Sequence, residues 1–534
     1  MSTTMTPYQS TVPPARDSFA QLAIAEFTKL RTVRGWVVGL VVGALLIVGI
    51  GVLSAAGSGG SCSPSSGASS NASSNASSGP ANGSACGSGI PTLGPDGEPV
   101  TDSFYFVHQQ LDGDASITVR VTSLAEQVMS PNGDSTNWQP GLIRWAKAGL
   151  IFKANTTQGS PYAAIMETAT HGVRMQYDFT RDVAGSATTV SNTSPLWLRL
   201  TRSGATLTGY ESPDGQQWTK VGAVKLSGLP SSVQAGMFVA SPDNDVTTAE
   251  IVGTSTQGGP SKATATFDKV SVQGGQPSDS WQGGQVGNNG LGDLPPFTEE
   301  GGTFAVTGSG DIGPMASSGG DNNTISGSLI GAFVGLMAMV VIGALCITAE
   351  YRRGLIRTTL TASPRRGRVL AAKAVVLACV VFVLGLASSA FTMWFVDRQR
   401  RSNGTYIPPA SSLTEIRVLA GTAAVLAVAT VLALAVGTIV RRSAAAVSAA
   451  IALTVLPYIL GVSSVGALQW MLRVTPAAGF AVQQTLHQYP QVDGVYIASA
   501  GYYPLSPWEG FGVLLAWTAL ALGLAVFLLR KRDA

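Results

Sequence analysis

The densest group of chemistry-bearing side chains in this sequence is basic. Residues 350–368 read EYRRGLIRTTLTASPRRGR. Glu350, Tyr351, Arg352, Arg353 and Arg357 come first, with Leu355 and Ile356 giving a modest apolar contribution to a short helix. Pro364 should end that helix, because it has no N–H and restricts the residue before it. Arg365, Arg366 and Arg368 then restore the positive charge. Such a segment can carry force from a partner as a rigid body, or it can hold anionic headgroups at a membrane edge. The residues alone weigh these two readings evenly. A second group, Glu26, Lys29, Arg31 and Arg34, is set among Phe19, Leu22, Ala23, Phe27 and Leu30 at helical spacing. That pattern suits a helix lying in a membrane interface.

Catalytic chemistry is harder to place. The chain contains no G-x-x-x-x-G-K-[S/T] phosphate loop. A glycosidase needs two carboxylates across a cleft. Asp178, Asp182, Glu211 and Asp214 are available, but the sequence brings no two of them face to face, and Asp214-Gly215 reads as a turn. His108 and His171 stand alone, and three His with four Cys spread over the chain offer no metal-ligand spacing. Cys62 and Cys86 are a candidate disulfide in an oxidising compartment, or else two free thiols. Trp138 and Trp145 flank a loop and are candidates for stacking on a ligand ring, or for core. Trp197 and Trp218 lie in strand patterns and are assigned to the core.

The elements that must position these residues are mostly apolar. Charged residues make up 12% of the 534, about half the share usual in globular proteins. Mean hydropathy is positive at +0.26. The formal charge of +3 is too small to point to nucleic acid. Six runs approach the ~20 apolar residues that crossing a bilayer requires. They are Trp36–Ala56, Ser328–Ala349, Val369–Val396, Arg417–Val440, Ser443–Val465 and Glu509–Leu529. The first has too long an apolar core for a signal peptide and is read as a retained anchor. Lys29, Arg31 and Arg34, the 350–368 arginines, Arg441, Arg442, Arg530, Lys531 and Arg532 all fall on one side. By the positive-inside rule both termini are cytoplasmic and residues 57–327 are extracellular in the plasma membrane. Loop 397–416, with Arg398, Arg400 and Arg401, disagrees. Lys373, near the inner end of the third run, is expected to snorkel. No charged pair falls at mid-membrane, which argues against a proton- or sodium-coupled carrier. Pro457 should kink the fifth run.

The fold class expected is a polytopic α-helical membrane protein of six spans with a large extracellular antiparallel β-sandwich between spans one and two. Residues 1–16 should be disordered, 17–56 an interfacial helix and first span, and 57–100 a Gly/Ser/Asn-rich linker. Ten short strands between 101 and 273 form the sandwich. Residues 274–327 should be a Gly-rich linker with one strand at Thr303–Val306, and 328–534 the five-span block.

The segment AEFTKLRTVR (25–34) and the 350–373 segment closely resemble membrane subunits of ABC-2 type transporters of high-GC Gram-positive bacteria. In that family an E-x-T-K-L-R-(S/T)-x-R elbow precedes span one, and an E-Y-R-x-G-(M/L)-I-R-T-T-L-x-A-x-P-R-R segment joins spans two and three. The resemblance covers 20–56 and 325–534. It implies an export permease that binds no cofactor itself and pairs with a separate ABC ATPase, which uses the ATP. It favours ATPase coupling for Glu350, Tyr351, Arg352, Arg353, Arg357, Pro364, Arg365 and Arg366. A homodimer or a second permease would complete the pathway. The inserted strands resemble LamG/concanavalin-like sandwiches, which makes a cell-surface glycan a candidate partner beside the lipid bilayer. The alternative is a membrane-anchored extracellular glycan- or ligand-binding protein without transport activity. A surface glycosidase is a third reading. Six spans favour the permease, since a tether needs one.

Overall fold

A computed structural model describes residues 18–57, 91–129, 137–190, 194–249, 254–275, 280–289, 291–292, 294–315, 324–355, 365–403, 406–462, 468–494, 496–498 and 501–531. Residues 1–16, Cys62, Cys86, Arg357 and Pro364, to which the sequence assigns expectations, lie outside these residues.

Six helices are long and apolar enough to cross a membrane. Span one is Arg34–Gly57, span two Gly331–Arg352, span three Arg366–Ser402, span four Ser412–Val440, span five Ser443–Val462 and span six Pro507–Lys531. An elbow helix, Phe19–Thr32, precedes span one. The elbow marks what is here called the basic end of the bundle, and the inserted region departs from the opposite, insertion end. Small residues set the closest helix packing, as expected where backbones approach without bulky side chains. A Cβ on Gly331 would stand 2.2 Å from the Ile47 carbonyl oxygen of span one, and one on Gly343 would stand 2.4 Å from that of Thr430 of span four.

Span three differs from its sequence outline. It runs 37 residues, about 55 Å at 1.5 Å per residue, so it outruns a ~30 Å hydrocarbon core. Its far end carries Arg398, Arg400 and Arg401. Arg400 is buried in protein, where its Nη1 donates to Ser328 Oγ at 3.2 Å, and Ser328 Oγ donates to Asp397 Oδ1 at 3.1 Å. The charge that disobeys the positive-inside rule is thus partly structural. Span five is two helices, Ser443–Thr454 and Leu456–Val462, broken at Val455. Pro457 sits at the start of the second, where its missing N–H leaves no helical bond unmade. After it comes a segment with no counterpart among the six apolar runs. It is a 3-10 helix, Pro476–Gln483, all eight residues buried between spans four and six and capped by Thr475 Oγ1. Backbone that departs from the α-helix in this way is tolerated in a membrane protein when protein surrounds it.

The inserted region is rich in antiparallel sheet. One seven-stranded sheet runs, in spatial order, Gln282–Val286, Phe104–Asp112, Ser232–Ala240, Lys147–Lys153, Tyr162–Thr168, Gly172–Tyr177 and Arg181–Ala184. The main path of the other sheet runs Thr219–Lys225, Thr206–Ser212, Leu196–Ser203, Ala115–Met129, Ser261–Gly274, Thr303–Gly308 and Thr298–Glu300, with Trp138–Pro140 pairing off Ala115–Met129. Residues of both sheets share one core, including Val107, Leu150 and Ile165 from the first and Val119, Leu198 and Phe267 from the second. Each such side chain contributes about 1.5–3 kcal/mol on burial.

The stretches expected to be linkers complete this region. Strand Val100–Asp102 pairs with Ile312–Pro314, and Gln282–Val286 pairs with Phe104–Asp112. Val100, Val286 and Ile312 then cover the outer face of the seven-stranded sheet. Its strands Lys147–Lys153 and Tyr162–Thr168 are consequently buried at every position, not at alternate ones. Two buried lysines point into this second core. Lys153 Nζ meets Asp102 Oδ2 at 2.7 Å, and Lys147 Nζ meets Asp311 Oδ1 at 2.5 Å.

Candidate functional site

The charges of the bundle converge at its basic end. Lys373, about two helical turns into span three, is 5% exposed. Its Nζ donates to Glu26 Oε2 of the elbow at 2.5 Å and to Glu350 Oε1 of span two at 2.8 Å. Lys29 Nζ donates to the other oxygen of Glu26 at 2.8 Å and stands 3.9 Å from Glu350. Two carboxylates and two ammonium groups therefore lock the elbow, span two and span three together. Burial alone would raise the carboxyl of Glu26. The two lysines outweigh it and hold that carboxyl below its ordinary value, so it stays ionised. Lys373 does not snorkel, because two acids meet it inside the protein.

A cavity of about 270 Å³ opens beside this node, lined in part by Glu26, Lys29, Trp36, Glu350, Arg353 and Lys373. Tyr351 continues the node sideways. The Arg441 guanidinium lies 5.1 Å from its ring centre, and Arg441 ends span four in the left-handed region at φ 62°. Arg366 closes the ring of contacts by donating to the Leu529 carbonyl of span six at 2.7 Å. Arg352 and Arg365 are exposed on the two sides of the undescribed 356–364 stretch, and Arg31 and Arg34 are exposed on and just beyond the elbow. Of the sequence candidates, the structure brings together Glu26, Lys29, Glu350 and Arg353, with Tyr351 and Arg366 at the margins. Lys373 was not among them. Its signal in the sequence is partial: a lysine inside an apolar run, with Glu350 at the inner end of span two, whereas Glu26 lies 347 residues away.

The inserted region holds the other candidates apart. Trp145 is buried, and His171 stacks on it with ring centres 3.8 Å apart. Trp138 is half-buried with Lys262 Nζ 4.2 Å from its ring centre. Trp197 and Trp218, assigned to the core, are corrected by the strand register. Leu196, Leu198 and Leu200 point inward, so Trp197 and Arg199 point outward, and Arg199 lies 3.8 Å over Trp218. His108 Nδ1 pairs with Gln234 Oε1 at 2.7 Å. Asp214 makes the expected turn, accepting from the N–H groups of Gln216 and Gln217 at 2.8 Å each, with Gly215 at φ 73°.

Two carboxyls are buried between the sheets, one of them on a residue that is not among the sequence candidates. Glu167, on the seven-stranded sheet, is 1% exposed and lies near Glu211 of the other sheet, 7% exposed. Ser186 donates its N–H and hydroxyl to Glu211, and the Val190 N–H donates to Glu167. Burial pushes the Glu167 carboxyl up to about 8. The Val190 bond opposes the rise and the charge of Glu211 adds to it. Both carboxyls are buried, one on each sheet. Among the described residues no group of three His, Cys, Asp or Glu side chains could hold a metal ion.

A family profile described as "ABC-2 family transporter protein" matches residues 154–534. No curated protein matches the chain significantly. Solved structures resembling part of it include a functionally unknown protein from Saccharomyces cerevisiae, at 16% identity over 32% of this chain and 76% of that one, with a TM-score of 0.22. Another is scytalido-glutamic peptidase with a transition-state analogue inhibitor, at 11% identity over 38% of this chain and 98% of that one, with a TM-score of 0.24. Likeness at this level defines neither fold nor activity.

Proposed function

Since this chain belongs to the ABC-2 family of transporter proteins, matched over residues 154–534, we propose that it is the membrane-spanning permease of an ATP-driven exporter whose ATPase is a separate polypeptide. The observation that carries the proposal is the Glu26–Lys29–Glu350–Lys373 node. A separate motor must grip short elements at one end of the bundle, and the node fixes together the elements that such a motor would push. The absence of a phosphate-loop motif from the sequence fits an ATPase on another chain.

In this reading the basic end faces the cytoplasm in the plasma membrane, both termini lie inside, and residues 57–327 lie outside. The Lys and Arg distribution supports that orientation. The 350–368 segment, with Glu350, Tyr351, Arg352, Arg353, Arg357, Pro364, Arg365 and Arg366, is the docking element. The permease works as a homodimer or with a second permease, because six spans enclose little. The inserted region is a LamG-like β-sandwich that engages substrate or a surface glycan.

The test is reconstitution. The chain is co-purified with a candidate ABC ATPase, and the ATPase rate is measured in liposomes. Glu350→Ala should lower permease-stimulated hydrolysis several-fold while the complex persists. Failure to form a complex with that ATPase, together with an unaltered rate, would leave the anchored binding protein as the better account.

A further inference from the structure

Two adjacent cavities that share wall residues lie at the insertion end of the bundle, away from the charged node. One, of about 400 Å³, is lined by Thr414 and Arg417 of span four, by His487 and Gln488, and by residues 503–507 leading into span six. The other, of about 250 Å³, adjoins it through Gln488, Tyr503 and Pro504 and adds Arg473 and Tyr496. Among the described residues no Asp or Glu lines either cavity. Arg417 and Arg473 form no ion pair among the described residues.

Arg417 is the informative residue. Its Nη2 donates to the Gln484 carbonyl, while its Nε is buried with no hydrogen-bond partner. A guanidinium offers five N–H donors in a rigid fork, and burying one unmet is costly. An anion bearing two oxygens side by side satisfies such a fork, as phosphate and carboxylate both do. Two acids on the flanking helices lie outside the cavity lining. Glu509 accepts the Ser506 N–H at its own helix start, and Glu415 is outside the lining. The surroundings are amphipathic. Leu413 and Ile416, beside Thr414 and Arg417 in the helix, are strongly exposed, as is Trp508 beside Pro507. Apolar side chains exposed next to a polar cavity at the end of a span suit a ligand with a charged head and apolar tail, and Trp508 suits the aromatic belt of an interface.

We propose that this paired cavity is a binding site for a phosphate-bearing anion, with Arg417 as the primary ligand and Arg473 and Gln488 completing the wall. The proposal is independent of ATPase coupling, since it concerns the opposite end of the bundle. The phosphate comes from the headgroup of an anionic amphiphile or from a free ion.

The experiment uses the full chain in detergent, titrated with phosphatidylglycerol, with phosphatidylcholine and with inorganic phosphate, and reads thermal stability and bound lipid by native mass spectrometry. Saturable phosphatidylglycerol binding, weakened about tenfold by Arg417→Gln and by Gln488→Glu, is expected. Arg401→Gln, which removes an exposed charge outside the cavity, should leave it unchanged. Gln488→Glu alters an exposed wall residue, so it tests the site even if Arg417→Gln fails to fold. Competition by millimolar inorganic phosphate would assign the site to the free ion, and its absence to the amphiphile. Equal retention of both lipids with no effect of phosphate, or binding unaltered in a folded Gln488→Glu, would overturn the proposal.

Discussion

Lys373 shows how one side chain can hold three elements. Replacing it by Met leaves Glu26 and Glu350 buried against each other with only Lys29 nearby. Breaking a buried pair by removing one partner costs about 3–5 kcal/mol, whereas removing all members is far milder. Lys373→Met should therefore lower the unfolding temperature of the chain in detergent sharply. The triple variant Glu26→Gln, Glu350→Gln, Lys373→Met should recover most of the loss. A single variant as stable as the parent would show that the node contributes little. Glu167 gives a second prediction at this scale. Its carboxyl is raised in the folded state, so the protein keeps full stability while the group is protonated in both states. It loses stability as the pH climbs from the ordinary value of 4.5 through about 8. The loss runs at about 1.4 kcal/mol per unit of pKa difference as an upper figure. Glu167→Gln should flatten this dependence across that window. A pH–stability profile unchanged by the substitution would count against the buried acid. These residues also mark what was legible in the sequence. Glu26, Lys29 and Glu350 stood out because charge clustered around them. Lys373 and Glu167 sat in apolar contexts where their partners, hundreds of residues away or on another sheet, could not be read from spacing.

Among elements, the apolar runs were legible because length and hydropathy decide them, and the central strands because their alternation is strong. The edge strands Gln282–Val286, Thr298–Glu300 and Ile312–Pro314 were not. They are short, Gly- or Glu-rich and held by pairing with strands already in place, so local propensity carries little of their stability. The 3-10 helix Pro476–Gln483 escaped notice because a buried segment of eight residues is too short to register as a span. Glycine placement offers a test at this scale. Gly331→Leu would drive a side chain into the Ile47 carbonyl, whereas Gly49 has open space around its Cβ position. Gly331→Leu should separate spans one and two and abolish the monodisperse peak on size-exclusion chromatography. Gly49→Leu should leave that peak intact. Matching behaviour of the two variants would argue against this packing.

For the molecule as a whole, the inserted region rests on the bundle. Gln491 Nε2 donates to the Thr180 carbonyl at 3.1 Å, and the Tyr406 hydroxyl donates to the Gly97 carbonyl at 3.2 Å. The proposed orientation is checked by accessibility in intact cells. A cysteine at exposed Glu299 should react with a membrane-impermeant maleimide, and one at exposed Arg31 should react only after permeabilisation. The reverse pattern would invert the topology. Span three then acquires a mechanical meaning. One end is clasped through Lys373, and the other reaches Ser328 and Thr324, at the foot of the inserted region, through Arg400. An unbroken helix of about 55 Å works as a pushrod, and a pushrod has no preferred direction. On the proposed reading, with an ATPase docked at the Lys373 end, a ligand that tightened the Arg400 end through this helix would alter the affinity for that ATPase by the same factor that the ATPase altered the affinity for the ligand. A molecule grasped outside the cell would in this way be felt at the site of nucleotide hydrolysis within it.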